Sequence, residues 1–292
     1  MNKTPINRRT FIINALRLSI LGLFALSFER RNNISVERFK LSYSNLPDSF
    51  NGFKIVHISD IHASYWVTEA YLLKVVEQIN SLPKDLVVIT GDILTGSVNS
   101  FWKKWIPSGD KDYIAMVADV LSRLKCENKI AVLGNHDQGD SFANEQRLVI
   151  ELEKIGIRVL RNESLNITRK NEQIFIAGTD DYWNTCDLSR TLSKVPDKAF
   201  SILLSHNPDI TGDMNTETKA DLVLCGHTHG GQIRIPYLSR YYMPIKNPDR
   251  YIAGLVKEPF GYTYVNRGIG TLVFPFRLNA PPEITYLQLT CL

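Results

Sequence analysis

Cysteine is scarce and scattered in this chain. Cys126, Cys186, Cys225 and Cys291 are its only four, and no two of them form a Cys-x-x-Cys pair. That excludes both a disulfide framework and a thiolate zinc site. Free thiols suit a reducing compartment, and Cys225, which closes an apolar run, reads as a small buried hydrophobe. An excess of one charge is also lacking. Lys and Arg number 34 against 30 Asp and Glu, a net charge of +4. This attracts anionic substrates weakly and excludes a nucleic-acid partner, which would need a dense basic stripe. Low-complexity tracts and internal repeats are absent. A chain of 292 residues, 44% of them hydrophobic, can bury a full core in one large domain.

Only one long apolar stretch is present, and it lies at the N-terminus. Asn7-Arg8-Arg9-Thr10-Phe11-Ile12 precedes an apolar region ending near Phe28. Paired arginines before such a region resemble a twin-arginine export signal. Two features depart from that pattern: Arg17 interrupts the stretch, and Ala25-Leu26-Ser27 is a poor cleavage site. The uninterrupted run 18–28 would reach roughly 16 Å as a helix, against about 30 Å of hydrocarbon, so alone it cannot span. Two arrangements stay open: a tight span that adds 11–16 with Arg17 snorkelling, or a helix lying in the membrane interface. Lys3, Arg8 and Arg9 precede the stretch, and Arg30, Arg31, Arg38 and Lys40 follow it. The positive-inside rule therefore names no orientation. Residues 1–36 are read as a signal or membrane-anchor segment, and 37–292 as the globular domain.

Within that domain, short β-branched runs alternate with amphipathic ones. The runs 53–58, 86–89, 130–133, 174–177, 200–204 and 222–225 read as buried strands, and 262–265 and 284–289 as closing strands. Apolar residues at helical spacing mark 68–82, 113–124 and 143–154 as helices, the first ended by Pro83. This order describes an α/β fold. A polar cluster follows most of the strands, and ligands bind at the carboxyl ends of strands in such folds.

Those clusters hold five of the six histidines: Asp60-Ile61-His62, Gly91-Asp92, Gly134-Asn135-His136-Asp137, Ser205-His206 and Gly226-His227-Thr228-His229. Taken singly they are bland, because Gly-Asp is an ordinary turn and Ser-His-Asn-Pro is strand-end turn chemistry. Together they supply the carboxylates, imidazoles and neutral amide that a two-metal hydrolytic site needs. Asp-x-His places a carboxylate and an imidazole on one side of an extended chain. A lone carboxylate after the next strand can bridge two ions. Mixed His and carboxylate donors suit manganese, iron or zinc better than calcium. Glycine before a ligand permits close approach of the backbone. His57, in mid-strand, is expected to be a hydrogen-bonded core histidine.

The ordered set Asp60-x-His62, Gly91-Asp92, Gly134-Asn135-His136-Asp137, His206 and Gly226-His227-x-His229 resembles the calcineurin-like metallophosphoesterase superfamily. Gly226-His227-Thr228-His229-Gly230-Gly231-Gln232, Asn266-Arg267-Gly268-Ile269-Gly270 and Pro281-Pro282-Glu283-Ile284 resemble its branch of bacterial membrane-associated or twin-arginine-exported phosphodiesterases. The resemblance implies a four-layer α/β/β/α sandwich and two divalent metal ions, manganese first, with iron or zinc as alternatives. It implies Asp60, His62 and His229 on one metal, Asn135, His206 and His227 on the other, and Asp92 bridging. Metal-bound hydroxide would attack phosphorus in line. His136 would contact the phosphate and serve catalysis, and Asp137 would orient His136. Asn135, His136 and Arg267 are candidate substrate contacts, although Arg267 also fits a structural salt bridge. Asp180 and Asp181 follow a strand on the same edge and are weaker candidates for support of the site.

The substrate class rests on less. Ser100-Phe101-Trp102-Lys103-Lys104-Trp105-Ile106 and Tyr237-Leu238-Ser239-Arg240-Tyr241-Tyr242-Met243 mix aromatic and basic residues, as membrane-interface segments do. Aromatic packing over the sheet edge is the simpler explanation of both. The interface reading predicts an enzyme associated with the inner membrane and facing the cytoplasm, acting on a lipid-linked phosphodiester or diphosphate. Within the resembling branch that includes UDP-2,3-diacylglucosamine hydrolysis in lipid A synthesis. The alternatives are an exported phosphodiesterase or phosphatase for soluble substrates, and an inactive scaffold.

Overall fold

The computed structural model describes residues 8–96, 111–137, 142–218 and 220–292. The segment 100–106 lies outside them. The described chain forms twelve strands: β1 (Ser35–Tyr43), β2 (Lys54–Ile58), β3 (Leu86–Thr90), β4 (Asn128–Val132), β5 (Arg158–Val159), β6 (Glu163–Arg169), β7 (Glu172–Gly178), β8 (Ser201–Leu204), β9 (Leu222–Cys225), β10 (Gly254–Lys257), β11 (Tyr262–Val265) and β12 (Glu283–Cys291). The described helices are α1 (Arg8–Arg30), α2 (Glu69–Ser81), α3 (Tyr113–Ser122), α4 (Phe142–Lys154), α5 (Leu188–Leu192) and α6 (Pro248–Tyr251).

The strands make two six-stranded sheets, ordered β1-β12-β2-β3-β4-β5 and β10-β11-β9-β8-β7-β6. In the first, β2, β3, β4 and β5 run parallel. In the second, β7, β8, β9 and β11 run parallel. Alternate residues of each strand face opposite ways, and the core divides accordingly. Ile55, Val88 and Ile130 of the first sheet meet Ile176, Leu204 and Leu224 of the second. The other face of the first sheet, with Val56, Val87 and Ala131, packs on α2, α3 and α4. The outer face of the second, with Leu203, Val223 and Val265, packs on Leu192, Ile210 and Tyr251. Two sheets lie face to face, with helices outside both.

The local signals explain the helices. Thr68 caps α2 by accepting from the Tyr71 amide at 3.4 Å, and the buried stripe Leu72, Val75, Val76 and Ile79 faces the first sheet. Asp112 caps α3 in the same way through the Ala115 amide at 3.1 Å. Four strands have no counterpart in the sequence reading: β1, β5, β6 and β10. β5 has two residues, and the others carry exposed or half-exposed polar side chains, so no apolar run announces them. β1 starts at Ser35, inside the segment read as an anchor, and pairs in parallel along its whole length with β12.

Arg17 does not break α1. Its 23 residues reach about 35 Å, and it is long and apolar enough to cross a membrane. Most of its large apolar side chains are exposed, among them Phe11, Leu16, Leu18 and Leu21. Its final turns dock on the globular domain. The rings of Phe24 and Phe28 lie 5.4 and 6.1 Å from that of Phe276, and the Ser27 carbonyl accepts from the Arg277 amide at 3.1 Å.

Candidate metal centre

The loops after β2, β3, β4, β8 and β9 meet at one edge where the two sheets abut. Backbone hydrogen bonds lock them together: the Asp60 amide donates to Gly91 O at 3.0 Å, His62 to Asp92 O at 2.9 Å, and Gly226 to His206 O at 3.0 Å. Two groups of three result. Ligand atoms of Asp60, His62 and His229 lie within 4.8 Å of one another, as do those of Asp92, His206 and His227. In the first, His62 Nε2 is 3.0 Å from His229 Nε2, and His229 Nε2 is 3.4 Å from Asp60 Oδ1. In the second, His206 Nε2 is 3.2 Å from His227 Nδ1. Asp92 Oδ2 lies 3.1 Å from His206 Nε2 and 3.4 Å from His62 Nε2, so a single oxygen faces both groups.

Asn135 adds a neutral oxygen. Its Oδ1 is buried and has no hydrogen-bond partner, an arrangement that costs about 1–3 kcal/mol unless something binds there. Its neighbours touch Asp92: the His136 amide donates to Asp92 Oδ1 at 2.8 Å. Carboxylates, imidazoles and one orphaned amide oxygen, with no thiolate, form a donor set that fits two divalent cations.

Burial makes this cluster electrostatically tense. Burial alone would raise the Asp92 pKa, but His206, His136 and His62 outweigh it and hold the carboxylate well below its ordinary range. Burial also works against a charged His206, yet Asp92 and Asp60 raise its pKa to about 10. Burial lowers His62 and His227 to about 3 and holds His229 well below the ordinary value, so all three are neutral, the form that ligates. Burial, with Asp92 adding to it, raises Asp60 to about 6.

The backbone is strained at the same residues. Asp60, His62, Asp92, His227 and His229 all have φ between 48° and 73°. Each such non-glycine residue costs roughly 1–3 kcal/mol. Five of them together rival the net stability of a domain, about 5–15 kcal/mol, so the surrounding frame must impose the geometry. Gly134 and Gly226 are part of that frame. A Cβ at Gly134 would sit 2.2 Å from Asp92 Oδ1, and one at Gly226 2.3 Å from Asp60 Oδ2.

His136 lies beside the first group, its ring centroid 5.1 Å from that of His62. Its Nδ1 is 2.8 Å from the Thr95 carbonyl. That contact corrects the expectation that Asp137 orients His136. Asp137 instead accepts from the amides of Ile93 at 2.7 Å, Leu94 at 2.9 Å and Gly134 at 2.8 Å. No hydrogen bond among the described residues joins its carboxylate to the His136 ring. It staples the loops after β3 and β4 together.

Of the two expectations for Arg267, substrate contact and a structural salt bridge, its contacts fit the second: it is held by two carboxylates, Glu37 at 2.7 Å and Glu283 at 3.0 Å. With those partners it joins β1, β12 and the loop after β11. Asp180 likewise is engaged elsewhere, by Arg161 at 2.7 Å and Thr185 at 2.8 Å. Asp181 is buried, with Oδ1 unpartnered. Burial raises its pKa, and His206 opposes the rise, which places it within electrostatic reach of the second group. His57 is the buried core histidine expected, its Nε2 2.8 Å from Thr90 Oγ1.

Two neighbours of the centre escaped the sequence reading. Trp183, half exposed, sets its ring 4.7 Å from that of His227. Arg277 is almost wholly buried and reaches the His229 carbonyl at 3.3 Å. The available signal was a single arginine in the apolar run Phe274-Pro275-Phe276-Arg277-Leu278, which composition alone does not distinguish from a surface residue.

Paired His and carboxylate groups at the abutting edges of a two-sheet α/β sandwich define a metal-dependent hydrolase. The family model described as Calcineurin-like phosphoesterase matches residues 53–231. The chain belongs to that family and is a metal-dependent phosphoester hydrolase. It is 34% identical over 263 residues to the uncharacterized metallophosphoesterase YkuE of Bacillus subtilis strain 168, covering 88% of this chain and 85% of that one. It is 32% identical over 248 residues to the phosphodiesterase YaeI of Escherichia coli strain K12, covering 83% and 84%. An uncharacterized metallophosphoesterase of Aquifex aeolicus strain VF5 is 31% identical over 264 residues, covering 88% and 92%. Members of the family typically bind two divalent metals, and the two groups of three are the candidate positions here.

Proposed function

We propose that the protein is a dinuclear phosphodiesterase that works at a membrane surface on a lipid-linked phosphodiester or diphosphate. The observation that carries the reading is Asp92 Oδ2, which faces His62 of one metal group and His206 of the other at 3.4 and 3.1 Å. Asp60, His62 and His229 would hold one ion and Asn135, His206 and His227 the other, with Asp92 available to both. The mixed donor set favours manganese, with iron or zinc next. Bound there, two such ions would supply Lewis acidity and lower the pKa of water towards neutrality. The chain's own residues place the phosphate. His136 gives its Nδ1 to the Thr95 carbonyl, which leaves Nε2 to hold or release a proton at a phosphate or leaving-group oxygen. The relative named a phosphodiesterase supports a diester over a monoester.

Two observations support the membrane. α1 has the length and apolarity of a span, and residues 1–36 are read as the anchor of the catalytic domain 37–292. The loop 235–242 exposes Tyr237, Leu238, Tyr241 and Tyr242 beside Arg234 and Arg240, where packing over the sheet edge would have covered the rings. The narrowest form of the proposal takes a nucleotide-sugar-lipid such as UDP-2,3-diacylglucosamine, with the domain facing the cytoplasm. A second reading, export through a twin-arginine-like signal to act on soluble diesters, is favoured by Arg8 and Arg9 at the head of α1.

A substrate panel tests the proposal. The detergent-solubilised full chain is assayed on a chromogenic monoester, a chromogenic diester and UDP-2,3-diacylglucosamine, after chelation and after manganese is restored. Diester and lipid-linked turnover that needs the metal supports it. Turnover confined to monoesters removes the diesterase reading. A cleaved form on the far side of the membrane, seen by fractionation and protease access, replaces the cytoplasmic reading with export.

A further inference from the structure

We infer that Arg277 is a positioning residue of the first metal group: its guanidinium clamps the backbone that carries His229 to the loop that backs Asp60. The inference rests on the proposed metal roles of Asp60 and His229.

Arg277 has 1% of its surface exposed, and among the described residues no carboxylate forms an ion pair with it. Burying an unpaired charge costs several kcal/mol, so carbonyl oxygens must compensate. Nη1 donates to His229 O at 3.3 Å and Ala280 O at 2.9 Å, Nε to Gly270 O at 3.0 Å, and Nη2 to Gly268 O at 3.1 Å. Nη2 also lies 3.4 Å from the ring Nδ1 of His229. A guanidinium keeps its charge in proteins, and all its N–H groups are donors.

The carbonyls it gathers belong to two segments that touch the first metal group. One carries His229. The other, 268–270, lies against Asp60: the Gly270 amide donates to Asp60 O at 2.7 Å, and the Ile269 amide to Ser59 O at 2.9 Å. A Cβ on Gly268 would sit 2.6 Å from the Asp60 Cβ. Asp60 and His229 both hold left-handed backbone angles, φ 49° and 53°, which relax unless braced. A planar fork with five N–H donors can brace two segments at once, whereas a lysine's point-like ammonium cannot. Among the described residues no arginine side chain hydrogen-bonds to His206 or His227; their partners include the Thr90 carbonyl at 2.7 Å for His206 and the Asp60 carboxylate at 3.0 Å for the His227 amide, so the direct effect falls on the first group. The Arg277 amide donates to Ser27 O, and Phe276 packs on Phe24 and Phe28, so the clamp also meets the docked end of α1.

The test is stepwise manganese binding to the chelated full chain in detergent, followed by electron paramagnetic resonance and calorimetry, with thermal unfolding of the metal-free form alongside. Wild type takes up two ions, and His229→Ala identifies the first-group step by losing it. Arg277→Gln is expected to weaken that same step by roughly 10–100-fold, the usual effect of removing an outer partner of a ligand, while the other step stays within about twofold of wild type. Arg277→Lys, which keeps the charge and protects the fold, is expected to restore only part of the loss. Unchanged affinities in Arg277→Lys and Arg277→Gln overturn the inference. Equal weakening of both steps also overturns it, because that marks general loosening of the fold. Two ions retained in His229→Ala overturn the metal assignment beneath it, a failure distinct from the other two.

Discussion

His62 Nε2 and His229 Nε2 stand 3.0 Å apart in rings stacked at 24°, although 167 residues separate them in the chain. Only one hydrogen fits between two such nitrogens, and the carboxylates of Asp60 and Asp92 each come within 3.4 Å of the pair. A cation satisfies both nitrogens and both carboxylates together. Chelation is therefore expected to lower the melting temperature. Restoring manganese at about 100 times its dissociation constant contributes about 2.7 kcal/mol per site, and each kcal/mol corresponds to roughly 2–4 °C in a chain of this size. Scanning fluorimetry with and without chelator reads the shift; equal melting temperatures would contradict it.

Asp92→Asn is expected to abolish turnover. The carboxylate serves both groups, and an amide there must turn its NH2 either towards both histidines, at the Oδ2 position, or against the His136 amide, at the Oδ1 position. The loss should exceed the roughly 100-fold that follows removal of an outer partner alone. It should be accompanied by weakened uptake of both ions, whereas His227→Ala weakens one. Metal analysis after dialysis separates the two patterns.

Metal uptake should release a proton from His206. Without metal, Asp92 raises its pKa from the ordinary 6.5 to about 10 despite burial. A folded pKa above the unfolded one contributes stability that is full below about pH 6.5 and is lost as pH rises through about 10. Ligation requires the neutral ring, so apparent affinity should rise with pH up to about 10, approaching tenfold per unit. Below pH 6, Asp60, raised to about 6 by burial and Asp92, adds a second competing proton. Calorimetry at pH 8 in two buffers of different ionisation heat should report close to one proton released; a value of zero refutes the assignment.

Asp137→Asn is expected to act on loop geometry rather than on proton transfer. The carboxylate accepts three backbone amides, and an asparagine can accept through one oxygen only, leaving a buried amide facing its own NH2 group. A destabilisation of about 1–3 kcal/mol should follow, with kcat reduced and the pH profile of kcat unmoved. A shifted pH profile would mean that Asp137 acts on His136 after all.

The strands that carry the site were legible because each is a short apolar run closed by a polar cluster, as in 86–92 and 222–229. β1, β6 and β10 were not, since their side chains are half exposed and polar and only pairing with a neighbour defines them. The same contrast holds at the centre. The residue types of Asp60, His62, Asp92, Asn135, His206, His227 and His229 are local facts, and their donor chemistry can be read without a fold. The division of six of them into two groups of three follows from β2, β3, β8 and β9, which are spread over both sheets, and Asn135 joins them from the loop after β4.

The sequence by itself determined the inventory: which donors are present, that thiolate is absent from them, and that each follows a strand. Tertiary structure decided the assignments. Asp92 sits between the groups, Asp137 binds amides instead of His136, Arg267 is taken by Glu37 and Glu283, and Arg277 grips the His229 loop. The reason is physical. Donor chemistry belongs to a side chain, but partnership depends on which distant segments the sheets bring together, and on the left-handed backbone angles they impose at Asp60, His62, Asp92, His227 and His229.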